Sequence, residues 1–291
     1  MRYEGNIFRP PSEANSLLIQ ATIGCPHNKC AFCAMYKGQK FRMRDLGEIK
    51  EDIAAAWDHY GSNVVSSLFM PDANSIILKT DKLAEVCRYA RSVFSRLNRI
   101  TVYGGAKFVI RKSLDELKQL KEAGLSRIHM GMESGDDVVL EKVKKGVTSD
   151  QIIEAGQRVK ESGIELSEYY MVGLGGAERS EEHALESARV LNAINPTFLR
   201  MRTTVPIPGT ELFKEFEEKS WELPSPHQSL REIRLLIENL DCDAEIHSDH
   251  NSNYWDIYGK LPQDKEAMLQ EIDHALEVDE SRFRPYWSVS L

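Results

Sequence analysis

Three of the five cysteines in this 291-residue chain lie close together, in the stretch GCPHNKCAFCAMY of residues 24–36. Cys25, Cys30 and Cys33 follow the spacing C-x4-C-x2-C, which puts three thiols on one short loop. Thiolates are ligands that zinc and iron–sulfur clusters prefer. An odd number of cysteines with three bunched together does not suit a disulfide framework, so the sequence predicts a metal site.

Two kinds of metal site fit this loop. A structural zinc ion could be bound by Cys25, His27, Cys30 and Cys33, but structural zinc ligands normally come as two pairs separated by a longer stretch of chain. A [4Fe–4S] cluster could instead be held by the three cysteines, which would leave one iron without a protein ligand. The spacing favours the cluster. A zinc-stabilised, non-redox binding protein stays open as an alternative, and so does an iron–sulfur electron carrier, which would need four cysteines.

The cysteine loop follows the first of six predicted strands, which are short apolar runs over residues 16–22, 63–70, 99–105, 126–133, 165–176 and 197–206. A helical pattern follows each of these runs before the next one begins. Strands that alternate with helices predict an α/β fold, here a partial parallel (β/α)6 barrel of the TIM-like type. Loops at the carboxyl ends of such strands form the active face, so we expect the cysteines there.

The alternation stops after Ser225, and helical patterns follow over residues 228–239 and 262–277. We therefore predict a barrel over residues 1–225 and an α-rich C-terminal extension over residues 226–291. About 65 residues make a thin core alone, so the extension is expected to pack on the barrel.

Composition narrows the class of protein. The chain is 42% hydrophobic and 28% charged, as in ordinary globular proteins. No apolar run approaches the roughly 18 residues that span a bilayer, and the first residues lack the apolar core of a signal peptide. A net charge of −8 argues against a nucleic-acid partner. These features predict a cytoplasmic protein without a membrane partner, and they argue weakly against a nucleic-acid partner.

The cysteine loop resembles the cluster-binding signature of the radical S-adenosylmethionine (SAM) superfamily, whose usual spacing is C-x3-C-x2-C with an aromatic residue before the last cysteine. Phe32 occupies the aromatic position, and the first gap is one residue longer than usual. The resemblance implies a [4Fe–4S] cluster on Cys25, Cys30 and Cys33, with SAM as the ligand of the open iron. It further implies reductive cleavage of SAM to a 5′-deoxyadenosyl radical, and an electron donor of flavodoxin or ferredoxin type.

The stretch GMESGDDVVLEKVKKG of residues 131–146 is similar to the fourth-strand signature of the branch with coproporphyrinogen dehydrogenase-like and methylthiotransferase-like enzymes. The resemblance implies that Glu133 binds the ribose hydroxyls of SAM and that Lys145 pairs with its carboxylate. Two simpler interpretations stay open. Glu133 could be an acidic residue at a helix N-terminus, and Lys145 a solvated lysine.

Two further stretches match the family less closely. MVGLGG, residues 171–176, resembles its fifth-strand glycine motif, which implies that backbone at Gly173 lies against adenine. MPDANS, residues 70–75, stands where the family has a glycine-rich turn that binds the SAM amino group. The glycines are missing, so Asp72 and Asn74 are predicted substitutes.

Arg200 and Arg202 alternate along the predicted sixth strand and therefore share one face. In a barrel one face is the interior, where arginines need anions. We predict that they bind a carboxylate of the substrate or of SAM. Salt bridges within the barrel wall are the alternative.

The segment DCDAEIHSDHNSNY, residues 241–254, alternates acidic residues with small or apolar ones. A solvent-exposed acidic face is the simpler interpretation. His247, His250 and Tyr254 are nevertheless candidate catalytic residues, since imidazole and phenol groups transfer protons near neutral or alkaline pH. The sequence as a whole predicts a radical SAM enzyme that acts on a small anionic or tetrapyrrole-like substrate.

Overall fold

The computed structural model describes residues 1–288. Within that range the strands are β1 (Leu17–Leu18), β2 (Thr22–Ile23), β3 (Arg42–Met43), β4 (Ser67–Met70), β5 (Arg99–Tyr103), β6 (Arg127–Glu133), β7 (Glu165–Val172), β8 (Phe198–Thr203), β9 (Glu245–His247) and β10 (Tyr258–Lys260). The helices are α1 (Leu46–Tyr60), α2 (Thr80–Val93), α3 (Ala106–Val109), α4 (Leu114–Glu122), α5 (Asp137–Lys142), α6 (Ser149–Glu161), α7 (Ser180–Ile194), α8 (Glu211–Glu217), α9 (Pro226–Glu238) and α10 (Lys265–Glu277).

Several helices begin at residues whose side chains cap them. The Ser113 hydroxyl accepts the backbone N–H of Glu116 at 3.1 Å, and the Glu116 carboxylate accepts the backbone N–H of Ser113 at 2.8 Å. Ser225 and Gln228 form the same reciprocal cap at the start of α9. Each cap satisfies two backbone donors that the first helical turn leaves free. Local sequence therefore sets where α4 and α9 begin.

The chain divides into two compact units, and the first comprises residues 1–28, 35–130 and 158–166. Its strands run parallel in the order β1-β4-β5-β6, with Leu68 opposite both Leu17 and Ile100. Leu68 and Ile100 are fully buried, as expected for a parallel sheet covered on both faces. The antiparallel pair β2-β3 precedes and follows the cysteine loop in sequence.

The second unit comprises residues 29–34, 131–157 and the chain from residue 167 onward. Its strands β7, β8 and β9 run parallel, and β10 runs antiparallel to β9. Met171 lies opposite Arg202, and Arg200 lies opposite His247. Helix α9 packs against α7 and α10. The predicted α/β class with a mostly parallel sheet is confirmed.

The region after Ser225 differs from the expectation that strand–helix alternation stops there. β9 adds a further parallel strand beside β8, and β10 follows it. In the segment that leads into β9, Cys242, Ala244 and Ile246 are buried while the acidic residues between them are exposed. The alternation around β9 fits an exposed acidic face as well as a strand, and β10 has only three residues, which explains why the sequence did not predict them. The domain boundary at residues 225 and 226 stays a prediction.

No helix within residues 1–288 combines the length and the apolar composition needed to cross a bilayer.

Candidate functional site

The cysteine loop begins in the first unit, directly after β2. Gly24 leads into it, and the Cys25 sulfur accepts the backbone N–H of Asn28 at 3.3 Å. The Asn28 side chain donates to the carbonyl oxygen of Tyr36 at 2.8 Å, which ties the loop to its own later residues. The Cys25 thiol is free and partly exposed. It is therefore held by local hydrogen bonds and accessible to a ligand.

The later part of the loop belongs to the second unit. The Cys33 N–H donates to the Cys30 carbonyl at 3.3 Å, and both cysteines are partly exposed and form no disulfide. Between them, the Ala31 N–H donates to the Val143 carbonyl at 2.9 Å, and the Ala31 carbonyl accepts the Leu212 N–H at 3.0 Å. Backbone bonds after α5 and at the start of α8 thus fix this part of the loop.

The loop supplies three thiols, a donor set that a [4Fe–4S] cluster accepts. Zinc ligands must converge on one point, because Zn–S bonds are about 2.3 Å long. The cysteines of a [4Fe–4S] cluster each bind a different iron and need not converge in this way. The three unbridged, partly exposed thiols therefore suit the cluster.

Glu133 and Lys145 form a shielded ion pair in the second unit. Glu133 Oε1 lies 3.0 Å from Lys145 Nζ, and the two side chains are only 16% and 14% exposed. Glu133 has a φ of 64°, a left-handed conformation that costs a non-glycine residue about 1–3 kcal/mol. A Cβ at position 131 would lie 2.1 Å from Glu133 Oε1, so Gly131 leaves room for the carboxylate. Backbone strain and a glycine together define this position.

Lys145 is also close enough to the cysteine loop to sense its charge. Burial by itself lowers the pKa of Lys145, but attraction to Glu133, Cys30 and Cys33 outweighs burial and raises that pKa. Its neighbour Lys144 is 54% exposed and pairs with the surface residue Glu211. Lys145 is thus distinguished from the adjacent solvated lysine by its burial and by its negative surroundings.

Glu168 on β7 is a buried carboxyl that sequence reasoning missed. It is fully buried, and within residues 1–288 no side chain donates a hydrogen bond to either of its oxygens. Burial, followed by repulsion from Glu133, raises the pKa of Glu168 well above its ordinary value. The protonated acid is therefore favoured next to the Glu133–Lys145 pair. A glutamate inside the apolar run ELSEYYMV was the signal that could have revealed it.

The glycine motif after β7 forms a turn, and a side chain of α9 holds this turn by a hydrogen bond. Gly173 has a φ of 78°, and a Cβ there would lie 3.2 Å from the Pro224 ring. The Gly173 N–H donates to Glu232 Oε1 at 2.7 Å. A glycine is needed for the turn, and a distant carboxylate holds it in place.

Glu232 is the buried centre of a polar network. The Tyr170 hydroxyl donates to Oε1 at 2.7 Å, the Ser180 hydroxyl donates to Oε2 at 2.5 Å, and His183 Nδ1 lies 3.0 Å from Oε1. Burial raises the pKa of Glu232, but attraction to His183 and the hydrogen bonds outweigh burial and lower it. An ionised Glu232 therefore links β7, α7 and the Gly173 turn. The sequence analysis did not predict this network.

In the first unit, Asp72 lines a polar cavity of about 160 Å³ together with Glu4, Gly24 and Tyr36. Asp72 Oδ2 accepts Gln20 Nε2 at 2.6 Å, and Asp72 has a left-handed φ of 72°. Burial raises the pKa of Asp72 to about 7, and the hydrogen bonds from Gln20 and Tyr36 only partly oppose this. A cationic group in the cavity would stabilise the charged carboxylate.

Asn74 has a different surrounding. Its Oδ1 accepts the backbone N–H of Gly105 at 2.5 Å, and the side chain is buried. This oxygen holds the turn that follows β5. Of the two predicted substitutes for the missing glycines, Asp72 lines the cavity described above, whereas the Asn74 side-chain oxygen is engaged with backbone.

The two arginines of β8 differ in their charge balance. Arg200 Nη1 lies 3.1 and 3.3 Å from the two carboxylate oxygens of Asp249, and Arg200 is almost completely buried. Arg202 is partly buried, and its Nε has no hydrogen-bonding partner within residues 1–288. Arg200 therefore has an internal counter-ion, as in the barrel-wall alternative, whereas Arg202 is left with a free charge.

The three catalytic candidates lie in different surroundings. His247 Nε2 lies 2.8 Å from Glu245, whose side chain is half exposed. His250 is partly buried, and its Nδ1 accepts the Ser252 N–H at 3.0 Å. Burial, followed by the positive charge of Arg202, lowers the pKa of His250 to about 4. Burial raises the pKa of Tyr254. His250 and Tyr254 are thus neutral groups near arginines, and His247 is on an acidic edge.

Comparison with known proteins relates this geometry to a family. Residues 19–188 match the sequence model of the Radical SAM superfamily. An uncharacterized methyltransferase of Pyrococcus horikoshii is 22% identical over 200 residues, which are 68% of this chain and 41% of that protein. The chain thus spans about two fifths of the length of this relative.

Two solved structures share the fold. Coproporphyrinogen III oxidase (HemN) from Escherichia coli has a TM-score of 0.57 at 19% identity, over 77% of this chain and 51% of that chain. The methyltransferase TsrM from Kitasatospora setae, solved with cobalamin and a [4Fe–4S] cluster, has a TM-score of 0.56 at 18% identity, over 70% and 39% of the two chains. At these identities the likeness concerns the fold.

Proposed function

We propose that this chain, which belongs to the radical SAM superfamily, is an enzyme whose cofactors are a [4Fe–4S] cluster and SAM, and that Cys25, Cys30 and Cys33 hold the cluster. When bound and reduced, the cluster would supply the electron for cleavage of SAM to methionine and a 5′-deoxyadenosyl radical, and that radical would take hydrogen from a C–H bond of the substrate. The proposed substrate of that step is a small anionic molecule.

The observation that supports this assignment most directly is the position of Lys145. Its ammonium group is attracted by Glu133, Cys30 and Cys33 within one unit. Lys145 is proposed to bind the SAM carboxylate and Glu133 the two ribose hydroxyls, since a carboxylate accepts well from neighbouring hydroxyls. Their mutual ion pair at 3.0 Å holds both side chains in place before a ligand arrives.

Gly173 and Asp72 are proposed to bind other parts of SAM. Backbone at Gly173 can approach a flat ring closely because no Cβ is present. Asp72 is proposed to accept hydrogen bonds from the amino group of SAM. A carboxyl with a pKa of about 7 gains most from a nearby cation, because the cation favours the ionised form. Asn74, whose Oδ1 is engaged with Gly105, is proposed to position this turn.

The remaining assignments concern partners. An electron donor of flavodoxin or ferredoxin type is proposed, because the cluster must be reduced before SAM is cleaved.

His250 and Tyr254 are proposed to be closer to the substrate than His247, because they lie next to the arginines of the second unit. A cytoplasmic location and a small-molecule substrate stay predictions.

The proposal is tested by anaerobic purification followed by reduction with dithionite in the presence of SAM. We expect about four irons and four sulfides per chain, and formation of 5′-deoxyadenosine. Alanine variants of Cys25, Cys30 and Cys33 should each lose iron and product. Cys242→Ala is the matched control, since Cys242 is a buried thiol outside the loop. A colourless zinc protein, or full iron content in the loop variants, would contradict the assignment.

A further inference from the structure

Arg202 carries a charge that the protein does not neutralise. None of the ion pairs within residues 1–288 includes Arg202, and its Nε is buried without a hydrogen-bonding partner. A partly buried guanidinium without an anion is unfavourable, because burial removes water that would otherwise solvate the charge. The neighbouring Arg200 is different, since Asp249 neutralises it at 3.1 Å.

The direction of the Arg202 side chain follows from strand register. Arg202 lies opposite Met171, and residues opposite each other in neighbouring strands share a face of the sheet. Tyr170, the next residue along β7, points to the other face, where its hydroxyl bonds to side chains of α7 and α9. Arg202 and Met171 therefore lie on the face that is turned away from these helices.

Met171 connects this face to the cysteine loop. Its side chain packs against the apolar cluster that contains Ala31, and Phe32 packs against the same cluster. These two residues stand between Cys30 and Cys33 in the sequence. Arg202 thus lies opposite Met171, and Met171 packs on the same apolar cluster as Ala31 and Phe32 of the cysteine loop. All four residues belong to the second unit.

Arg284 and His250 are two more donors of the same unit, and backbone and side-chain bonds of Asn253 link Arg284 to β8. Both Nε and Nη2 of Arg284 donate to the Asn253 carbonyl, Nε at 3.1 Å, which leaves Nη1 for a ligand, and the guanidinium lies 5.7 Å from the centre of the Tyr254 ring. Asn253 is itself bound to β8, since the Thr203 N–H donates to its Oδ1 at 2.8 Å. The His250 Nδ1 accepts the Ser252 N–H, so a proton on the neutral ring belongs to Nε2.

The charges of Arg202 and Arg284 act on His250 together. Burial is the largest cause that lowers the pKa of His250 to about 4, and repulsion by Arg202 comes next; attraction to Asp249 opposes them, and repulsion by Arg284 is the smallest contribution. His250 is therefore neutral at physiological pH. The surroundings of this residue have an excess of positive charge and of donors.

We infer that Arg202, Arg284 and the Nε2–H of His250 bind a carboxylate group of the substrate. This inference rests on the proposed function and deepens it by naming the substrate class, a small carboxylic acid. Guanidinium forks bind both carboxylates and phosphates, and phosphate sites often add free backbone N–H groups, as at helix N-termini. Such groups are engaged at this place, since Thr203 N–H donates to Asn253 and Thr204 N–H to Val172. Guanidinium forks match a carboxylate in two parallel hydrogen bonds.

The test uses succinate as a carboxylate probe on the cluster-containing protein without SAM. Nuclear magnetic resonance of ¹⁵N-labelled histidine follows the titration of His250, and calorimetry measures the succinate dissociation constant. Succinate should raise the pKa of His250, because its negative charge offsets the two arginines. Arg202→Gln should weaken succinate binding at least tenfold and should raise the His250 pKa even without ligand.

Controls separate this inference from general damage and from the proposed function. Arg234→Gln changes an arginine of the same unit that pairs with Asp273, and it should leave succinate binding unchanged. Arg202→Lys should keep the low His250 pKa while it weakens binding, because it keeps the charge and loses the fork. Tighter binding of inorganic phosphate than of succinate would overturn the carboxylate assignment.

Two outcomes distinguish a failure of the carboxylate site from a failure of the proposed SAM cleavage. A His250 titration that succinate does not change, or unaltered binding by Arg202→Gln, overturns the inference even if SAM is still cleaved to 5′-deoxyadenosine. Succinate binding that depends on Arg202, in a protein that does not cleave SAM under dithionite, supports the carboxylate site and contradicts the proposed function alone.

Discussion

Glu232→Gln separates the charge of the buried network from its shape. The carboxylate accepts hydrogen bonds from four groups, those of Tyr170, Gly173, Ser180 and His183. A glutamine keeps one oxygen for three of them and places an amide nitrogen near Ser180, whose hydroxyl can rotate to accept. The substitution therefore removes mainly the attraction between a negative charge and its donors.

The expected loss of stability follows from the number and kind of these bonds. A hydrogen bond to a charged group contributes about 1.5–3 kcal/mol, against about 1 kcal/mol for a neutral one. Because most donors keep a neutral acceptor, we expect Glu232→Gln to cost about 2–3 kcal/mol. This corresponds to a fall in Tm of about 4–10 °C for a domain of this size. Glu232→Ala leaves the buried Gly173 N–H without a partner and should cost about 3–5 kcal/mol.

The pH dependence has a definite sign. Folding lowers the pKa of Glu232 from its ordinary value of 4.5, so its stabilisation is complete above that value and is lost as the pH falls through the folded pKa. The Tm difference between the wild-type protein and Glu232→Gln should therefore be constant above about pH 5.5 and should shrink in acid. If the proposed function is right, Glu232→Gln should also lower the affinity for SAM severalfold, because the Gly173 N–H loses its charged acceptor.

Differential scanning calorimetry between pH 4 and pH 8 and equilibrium dialysis of SAM measure both effects. Glu238→Gln is the matched control, since Glu238 ends the same helix and pairs with Arg234 with its side chain 52% exposed. It should change Tm by less than about 1 °C. If Glu232→Gln matched the wild-type protein in Tm and in SAM affinity, the buried carboxylate would not have the anchoring role derived above.

Three further substitutions test other parts of the site. Lys145→Met should weaken SAM binding at least tenfold in equilibrium dialysis, because the ligand carboxylate loses its cation; unchanged affinity would assign Lys145 a structural role. Asp72→Asn should become increasingly more stable than the wild-type protein between pH 4 and pH 7, because the folded pKa of Asp72, about 7, lies above its ordinary 3.8. The stability that wild-type Asp72 contributes at low pH is thus lost as the pH rises, by about 4 kcal/mol in all. Urea unfolding at pH 5 and pH 8 measures the difference in unfolding free energy between Asp72→Asn and the wild-type protein. The same difference at both pH values would contradict the burial of the carboxyl. Gly131→Ala should lower stability by about 1–3 kcal/mol in the same assay and displace the Glu133 carboxylate, since the new Cβ would lie 2.1 Å from it.

Most of the fold follows from local patterns. Apolar runs with β-branched residues predicted six strands that alternate with helices, which correspond to β1 and to β4 through β8. Capping residues such as Ser113 determine where helices begin. β9 and β10 were not predicted, because the alternation around β9 also fits an exposed acidic face and the three residues of β10 are too few for a period to show. Their existence depends on backbone pairing with β8, which supplies the partner for Glu245–His247.

The candidate site divides in the same way. Cysteine spacing, the charges at Glu133 and Lys145 and the Gly173 motif are visible in short stretches of sequence. Glu168 and Glu232 were not predicted as site residues. Glu232 reaches Gly173 from 59 positions away, and no local pattern encodes a hydrogen bond between such distant residues.

The sequence by itself determined the chemical groups: three thiols on one loop, a glutamate and a lysine twelve positions apart, and two arginines on one face of β8. Only the tertiary structure decided which arginine keeps a free charge. Alternation treats Arg200 and Arg202 alike, but Asp249, 49 positions away, reaches only Arg200. Charge balance depends on which distant side chains meet, and a strand pattern contains no information about that.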